Sequence, residues 1–136
     1  MATRAKQKID FGCIETFTVA SGQTVTAGYR VKFASADNEC QNCGANEDGI
    51  GIALQAGAAG EKVSILLDGQ GIVKVIVGTG GATRGLFAVT VANGFTNQAI
   101  ADGTTVRYLA GKFMQTGVAG DTVGLLVGCP TPKSTA

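Results

Sequence analysis

Glycine is so frequent in this sequence that it divides the chain into many short segments. Glycine supplies 21 of the 136 residues and proline only 2, and the glycines follow no collagen-like period of three. Most of them separate short runs of β-branched and other apolar residues. Glycine adopts the positive φ angles of tight turns without steric cost. The sequence therefore predicts an all-β chain of short strands joined by glycine turns.

The apolar runs have the length and the period of β-strands. Tyr29, Val31 and Phe33 alternate with charged neighbours, as in a strand with one buried face. Residues 65–67 and 75–77 are continuous apolar runs, which indicate strands buried on both faces or in an interface. No long amphipathic helix is apparent, and at most a short helix or turn fits near Asn97–Ala101. The pattern favours a small barrel or sandwich, with strands at 14–20, 29–33, 51–55, 62–68, 71–77, 86–91, 104–109, 112–115 and 122–127.

The two halves of the sequence resemble each other. The segment 57–63, GAAGEKV, is echoed 60 residues later by 117–123, GVAGDTV, and Leu66 then matches Leu126. Thr26-Ala27-Gly28 is echoed 57 residues later by Thr83-Arg84-Gly85. Coincidence in a chain rich in glycine and alanine is the alternative, but two separate elements recur in the same order. We expect two related β-units that close one barrel and share one core.

The composition excludes several classes of function. The chain has no His, so a single chain cannot build a Ser-His, Cys-His or His-metal site. It has no Trp, 6% aromatic residues and a net charge of +1, which disfavours binding to nucleic acid or anionic lipid. Charged residues make up only 15% of the chain, against about a quarter in a typical soluble chain. Contacts with a partner or with further copies would cover such a neutral, apolar surface.

The N-terminal segment is predicted to form an extended arm. Residues 1–10 carry Arg4, Lys6 and Lys8, with little besides Ile9 from which to build a core. A frayed terminus and an arm that orders on a partner surface are equally compatible with this pattern. The segment lacks the apolar stretch of a signal peptide, and no run approaches the length of a membrane span, so we expect synthesis in a cytoplasm. The predicted organisation is an arm at 1–13, a β-barrel domain at 14–130 and a flexible tail at 131–136.

Four cysteines are the candidate metal or redox residues. Cys40 and Cys43 form one C-x-x-C pair, whereas a structural zinc site normally has two such pairs. Cys13 and Cys129 would complete a tetrathiolate only if the fold gathered all four. Acidic flanks at 37–39 and 44–48 raise the pKa of a nearby thiol and disfavour redox activity. We favour reduced thiols and no metal; a disulfide formed after release from the cell is the alternative.

Two further segments suggest chemistry without completing a motif. Asp37, Glu39, Glu47 and Asp48 offer carboxylates but lack the spacing of a calcium loop, which favours a solvated loop. Residues 78–85, GTGGATRG, follow an apolar strand but lack the lysine of a phosphate-binding loop, and a strand rather than a helix follows them. No catalytic set is recognisable, so we expect neither an enzyme nor a cofactor.

Three segments resemble a known family. Residues 49–69, GIGIALQAGAAGEKVSILLDG, resemble the "G-x-A-x-x-A-x-A-G-x-x-V-x-V-x-L" stretch of tailed-bacteriophage capsid decoration proteins, also called cement or head-stabilising proteins. Thr83-Arg84-Gly85-Leu86, followed by Ala92-Asn93-Gly94, is similar to their "T-x-G-x-L … A-x-G" stretch, and residues 118–123 resemble a second Ala-Gly-acid turn. The resemblance covers about residues 19–128. The insert at Asp37–Asp48 departs from the family's short connection.

The resemblance implies a small β-barrel or β-tulip-like domain with an extended N-terminal arm. Such proteins bind the outside of the phage head after it expands, often as trimers and sometimes as dimers, where subunits of the major capsid protein meet. They stabilise the shell against the pressure of packaged DNA. We accordingly expect synthesis in a host cytoplasm, a final place on the outer surface of the virion, and no direct contact with nucleic acid or membrane.

Arm residues are the predicted contacts with the capsid. We expect Arg4, Lys6, Lys8 and Ile9 to touch the shell, and Phe11 and Ile14 to anchor the arm on the domain. The alternative function is a small single-stranded nucleic-acid-binding barrel of the OB type. Its support is the barrel-like pattern together with five basic residues, Arg30, Lys32, Arg84, Arg107 and Lys112.

Overall fold

The computed structural model describes residues 13–69, 71–97, 107–128 and 132–133, and within these ranges the chain forms strands and turns without a helix. No helix in this part of the chain is long and apolar enough to cross a membrane. The all-β prediction is confirmed. The strands are β1 (Cys13–Val19), β2 (Thr24–Val25), β3 (Arg30–Phe33), β4 (Glu39–Asn42), β5 (Gly51–Ala53), β6 (Gly57–Ala58), β7 (Lys62–Leu67), β8 (Ile72–Ile76), β9 (Phe87–Val91), β10 (Gly94–Asn97), β11 (Arg107–Tyr108), β12 (Gly111–Phe113), β13 (Thr122–Val127) and β14 (Pro132–Lys133).

The first half of the chain closes a barrel in the order β1-β4-β3-β5-β7. β1 runs antiparallel to β7 and parallel to β4, and the parallel pairs Thr18–Glu39 and Val19–Cys40 complete the closure. Because side chains alternate along each strand, one set points into the barrel and packs as a core. Its buried members are Val19, Val25, Val31, Cys40, Ala53, Val63 and Ile65.

The second half repeats this arrangement as a five-stranded sheet in the order β10-β9-β12-β13-β8. A single parallel bridge between Val77 and Phe95 stands where β1 and β4 pair in the first half. The isolated bridge between Ala82 and Gly117 likewise stands where β2 pairs with β6. We call the two halves the first unit and the second unit.

The repeat seen in the sequence is present at the level of strand register. The pair Ile52–Leu66 in the first unit corresponds to Lys112–Leu126 in the second, with both members 60 residues further along. Backbone bonds repeat in the same way: the N–H of Gly28 donates to the carbonyl of Ala53 at 2.9 Å, and that of Gly85 to Phe113 at 2.8 Å. The two units are therefore copies of one β-topology.

Side-chain bonds in the turns repeat as well. In the first unit the Asn42 side chain accepts from the Thr26 N–H at 3.2 Å and donates to the Thr26 hydroxyl at 3.4 Å. In the second unit Asn97 bonds Thr83 in the same two ways, at 2.8 and 3.0 Å. The Thr-x-Gly echo thus marks a turn that is fastened to β4 in the first unit and to β10 in the second.

The expectation that both units together close one barrel is wrong. The first unit closes its barrel alone, and the second has a separate core built around Phe95, Phe113 and Leu125. The cores meet where Ile52 and Leu66, on the outer face of the barrel, join the core cluster of the second unit. Each copy contains enough apolar residues for its own interior, so a shared interior is not needed.

Most of the strands that the sequence pattern did not predict are polar or only two residues long. Glu39–Asn42 lies within the segment predicted as an acidic loop, yet it forms β4, and Cys40 is fully buried in it. β10 and the two-residue strands β2, β6 and β14 were also not predicted. The part of the predicted turn or helix near Asn97–Ala101 that follows Asn97 lies outside the described residues.

Candidate functional site

Most of the predicted capsid contacts lie outside the described residues. This applies to Arg4, Lys6, Lys8, Ile9 and Phe11. Ile14 is described: it lies in β1 opposite Leu66, and about half of its surface is exposed on the outer face of the barrel. Its place at the start of the domain is compatible with an anchor, and that role stays a prediction.

The cysteines do not form a reactive or metal-binding cluster in the described part of the chain. No three His, Cys, Asp or Glu side chains gather there as metal ligands, and Cys129 lies outside it. Cys13, Cys40 and Cys43 are free thiols. Burial raises the pKa of the Cys40 thiol and raises that of Cys43 to about 12, so neither offers a thiolate at neutral pH.

The acidic loop connects the two units. Lys32 pairs with the Glu47 carboxylate at 2.8 and 2.9 Å, and the Gly44 N–H donates to the same carboxylate. The buried Thr90 hydroxyl of the second unit donates to the Gly44 carbonyl at 2.7 Å and accepts from the Glu47 N–H at 3.1 Å. The Glu47 carboxylate therefore holds the loop against Lys32, and the loop backbone joins the second unit at Thr90.

The glycine-rich segment 78–85 lies in the connection between β8 and β9. Gly80, Gly81 and Gly85 have positive φ angles, and β9 rather than a helix follows. The Asn93 side chain accepts from the Thr79 N–H at 3.0 Å, which fastens the turn to the β9–β10 hairpin. The segment presents no helix N-terminus to an anion.

Two of the five basic residues that support the alternative function are paired with carboxylates within the fold. Arg30 is buried in an ion pair with Asp68, and Lys32 is paired with Glu47. Of the remaining three residues, the side chain of Arg107 lies outside the described set. Because two of the five charges are neutralised within the fold, the patch expected of a nucleic-acid-binding barrel is weakened.

A row of four exposed residues, three of them apolar, crosses the outer face of the second unit. Phe87, Lys112, Leu126 and Ile72 are directly opposite one another on β9, β12, β13 and β8. Directly paired residues point to the same side of a sheet. The exposed fractions are 42% for Phe87, 49% for Leu126 and 64% for Ile72. We call this set the outer row.

Lys112 carries the charge of the outer row. Its Nζ lies 5.1 Å from the centre of the Phe87 ring, a cation–π contact. Among the described residues it forms no ion pair, and the same is true of Lys74, two residues along β8 from Ile72. The outer row is therefore apolar and positively charged.

A groove of about 510 Å³ continues the outer row towards the first unit. Ile72 belongs to both, and Leu54 of the first unit is exposed on the other wall. Gly28 lines the floor, where its carbonyl accepts from the Ile76 N–H at 3.2 Å. Its φ of +84° and the closeness of Ile76 leave little room for a side chain. The turn at Gly28 of the first unit thus lies close to β8 of the second unit beside an open apolar groove.

The equivalent row of the first unit is mostly buried. Arg30, Ile52 and Leu66 occupy the positions of Phe87, Lys112 and Leu126, and their exposed fractions are 2%, 0% and 4%. Ile52 and Leu66 are covered because they pack with the core of the second unit. The same outer face is therefore an interface in one unit and open in the other.

Sequence reasoning missed the outer row because it assigned these residues to strands without knowing which face would be covered. One signal was available in the repeat. Aligning the copies places Lys112 at the position of Ile52, and a lysine opposite Leu126 indicates a face that meets solvent or a charged partner.

Neither a protein-family model nor a curated protein matches this sequence. The fold is similar to a solved structure, the N base of head fiber gp8.5 in bacteriophage phi29, with a TM-score of 0.66 and 16% sequence identity. The likeness covers 85% of this chain and 92% of that chain. At this level of sequence identity, the similarity establishes a common fold.

Proposed function

We propose that this chain is a structural protein of a bacteriophage head, which binds the outer surface of the expanded shell and stabilises its lattice. The observation that carries the proposal is the similarity of its fold, over most of both chains, to the base of a phage head fiber. The resemblance of residues 49–69 and 83–94 to capsid decoration proteins supports the same role by a separate line.

The described surface suits a binding role. The outer row and the adjoining groove offer exposed apolar residues beside lysines that lack a carboxylate partner in the described chain. Exposed apolar patches rimmed by polar residues mark interaction sites in many proteins. The proposed action is mechanical and needs no catalytic group or cofactor.

The proposed partner is the major capsid protein. The chain would bind as a homotrimer or a dimer, so that each oligomer engages several shell subunits at once. Linked sites of modest affinity gain avidity of about 100-fold to 10,000-fold when the geometry lets them bind together. The proposed location is the outside of the virion, reached after synthesis in the host cytoplasm.

Co-sedimentation with phage shells tests the proposal. Purified protein is mixed with undecorated expanded shells of its own phage, and immature shells serve as the control. We expect saturable binding to expanded shells only, with a copy number that reports the lattice site. Absence of binding to expanded shells by folded, full-length protein would refute the proposed function.

Removal of residues 2–10 tests the arm. We expect this variant to keep the unfolding transition of the full chain and to bind expanded shells more weakly. Unchanged binding would exclude Arg4, Lys6, Lys8 and Ile9 as contacts and leave the folded domain as the binding element.

A further inference from the structure

We propose that the outer row and its groove form the surface on which the shell protein docks, and that the docked segment combines apolar side chains with a carboxylate that pairs with Lys112. This inference rests on the proposed function and specifies its contact surface. The row consists of Phe87, Lys112, Leu126 and Ile72, and the groove extends it past Leu54.

The first unit shows what this face does when it is covered. Leu66 and Leu126 occupy equivalent positions in the two copies, yet Leu66 is 4% exposed and Leu126 is 49% exposed. The difference arises because Leu66 packs against a neighbouring β-unit. The outer face of this topology is therefore suited to protein–protein packing, and in the second unit it has no occupant from the described chain.

Charge distinguishes the shell protein from a second copy of the same face. Lys112 lies within the outer row and Lys74 lies beside it, and neither pairs with a carboxylate of the described residues. Two such faces packed together would bring four ammonium groups into one interface, and like charges across an interface are repelled. A partner that supplies a carboxylate opposite Lys112 satisfies the charge and covers the apolar residues.

The groove favours an inserted segment over a flat contact. It begins at Ile72, the most exposed apolar residue of the row, and its lining is apolar except near Lys74 and Thr122. Its volume of about 510 Å³ lies in the range of pockets that hold a small ligand or several side chains. A partner segment that crosses the row can place an apolar side chain in the groove.

The test compares matched variants in binding to expanded shells. Leu126→Asp and Lys112→Glu change the row, and Lys112→Arg keeps its charge. Val118→Asp, at an equally apolar exposed site in the 117–120 turn, and Lys62→Glu, at an exposed lysine of the first unit, are the controls. We expect Leu126→Asp and Lys112→Glu to weaken binding about tenfold or more, with Lys112→Arg and both controls near wild type.

Salt provides a second readout. If Lys112 forms an ion pair with the shell, the affinity of the wild type should fall as the salt concentration rises. The affinity of Lys112→Met should fall less steeply over the same range of salt. Because every changed side chain is exposed, all variants should retain the wild-type unfolding transition, which thermal unfolding checks.

The outcomes separate the docking surface from the proposed function. If the wild type binds expanded shells and both row variants bind equally well, the surface is wrong while the function stands. If the wild type does not bind, both proposals fail. Sedimentation equilibrium tests whether a second copy of the chain occupies the row. If the wild type self-associates and Leu126→Asp is monomeric, the row is the contact between copies and the inference is overturned.

Discussion

Arg30 and Asp68 form a buried two-point ion pair that links β3 to the end of β7. The distances are 2.7 Å from Nη1 to Oδ1 and 2.8 Å from Nη2 to Oδ2, and Nη2 also donates to the Gly49 carbonyl at 3.1 Å. The second unit has Phe87 and Gly128 at the equivalent positions. The pair therefore belongs to the copy whose outer face is covered, where a lone charge would be costly.

Removing the Asp68 carboxylate should destabilise the protein strongly. Asp68→Ala leaves the Arg30 guanidinium buried without its counter-charge, and losing one partner of a buried pair costs about 3–5 kcal/mol. Denaturant unfolding monitored by circular dichroism measures the change in the free energy of unfolding. Lys32→Met, which breaks the partly exposed Lys32–Glu47 pair, is the control and should cost about 1 kcal/mol or less. If both variants lost the same free energy of unfolding, the Arg30–Asp68 pair would contribute no more to stability than the Lys32–Glu47 pair.

The sequence was sufficient for the local structure and the repeat. The alternation around Val31 and the apolar runs at 65–67 and 75–77 predicted β3, β7 and β8, because strand periodicity depends on neighbouring residues only. The echo between Gly57 and Gly117 predicted the duplication, which the strand register now shows. Polar β4 was missed because its residues lack the apolar alternation that the prediction relies on.

The candidate site depended on information that no local pattern contains. Leu66 and Leu126 are the same residue type at equivalent positions, opposite Ile52 and Lys112. Only the packing of the second unit onto the first decides that Leu66 is buried and Leu126 exposed. A sequence with two equivalent strands cannot reveal which copy is covered, so the binding face emerged from the tertiary structure.

Glu47 predicts a dependence of stability on acid pH. The hydrogen bond from Lys32, and then the one from the Gly44 N–H, lowers the pKa of the Glu47 carboxyl in the folded state. A lowered folded pKa means that the contribution to stability is complete above the unfolded pKa, about 4.3, and is lost as pH falls through the folded pKa. Glu47→Gln removes this contribution, so the stability difference from wild type should be constant above about pH 5 and shrink below about pH 4.

Urea unfolding at a series of pH values measures this dependence. Lys32→Met should reduce the same acid-sensitive difference, because it removes the largest cause of the lowered pKa. Parallel stability curves for wild type and Glu47→Gln down to about pH 3 would contradict the role of Glu47.

The thiols of Cys40 and Cys43 should be inert in the native protein. Burial raises the pKa of both thiols, and that of Cys43 reaches about 12. The Cys43 Sγ also lies 3.6 Å from the Asp48 carbonyl, to which it donates. Iodoacetamide at pH 8, followed by peptide mass spectrometry, should modify neither thiol in folded protein and both in denaturant. Rapid native labelling of Cys43 would show that the loop opens or that the thiol is ionised.

Two equivalent glycines should be irreplaceable for the same steric reason. A Cβ on Gly51 would overlap the Leu66 carbonyl oxygen, and a Cβ on Gly111 would overlap the Leu126 carbonyl oxygen. Each obstacle is backbone held in a strand ladder, so it cannot rotate away as a side chain could. Gly51→Ala and Gly111→Ala should each destabilise by about 3 kcal/mol, the upper part of the range for overpacked cores.

Gly60→Ala is the matched control for these two substitutions. Gly60 has a φ of +86° and open space around its Cα, so alanine there meets backbone strain without a collision. That strain costs about 1–2 kcal/mol, less than the expected loss at Gly51 or Gly111. Chemical unfolding of the three variants under one condition compares them directly. If Gly111→Ala were as mild as Gly60→Ala while Gly51→Ala unfolded the chain, then β12 and β13 could separate to admit a methyl group, and the second unit would be the looser copy.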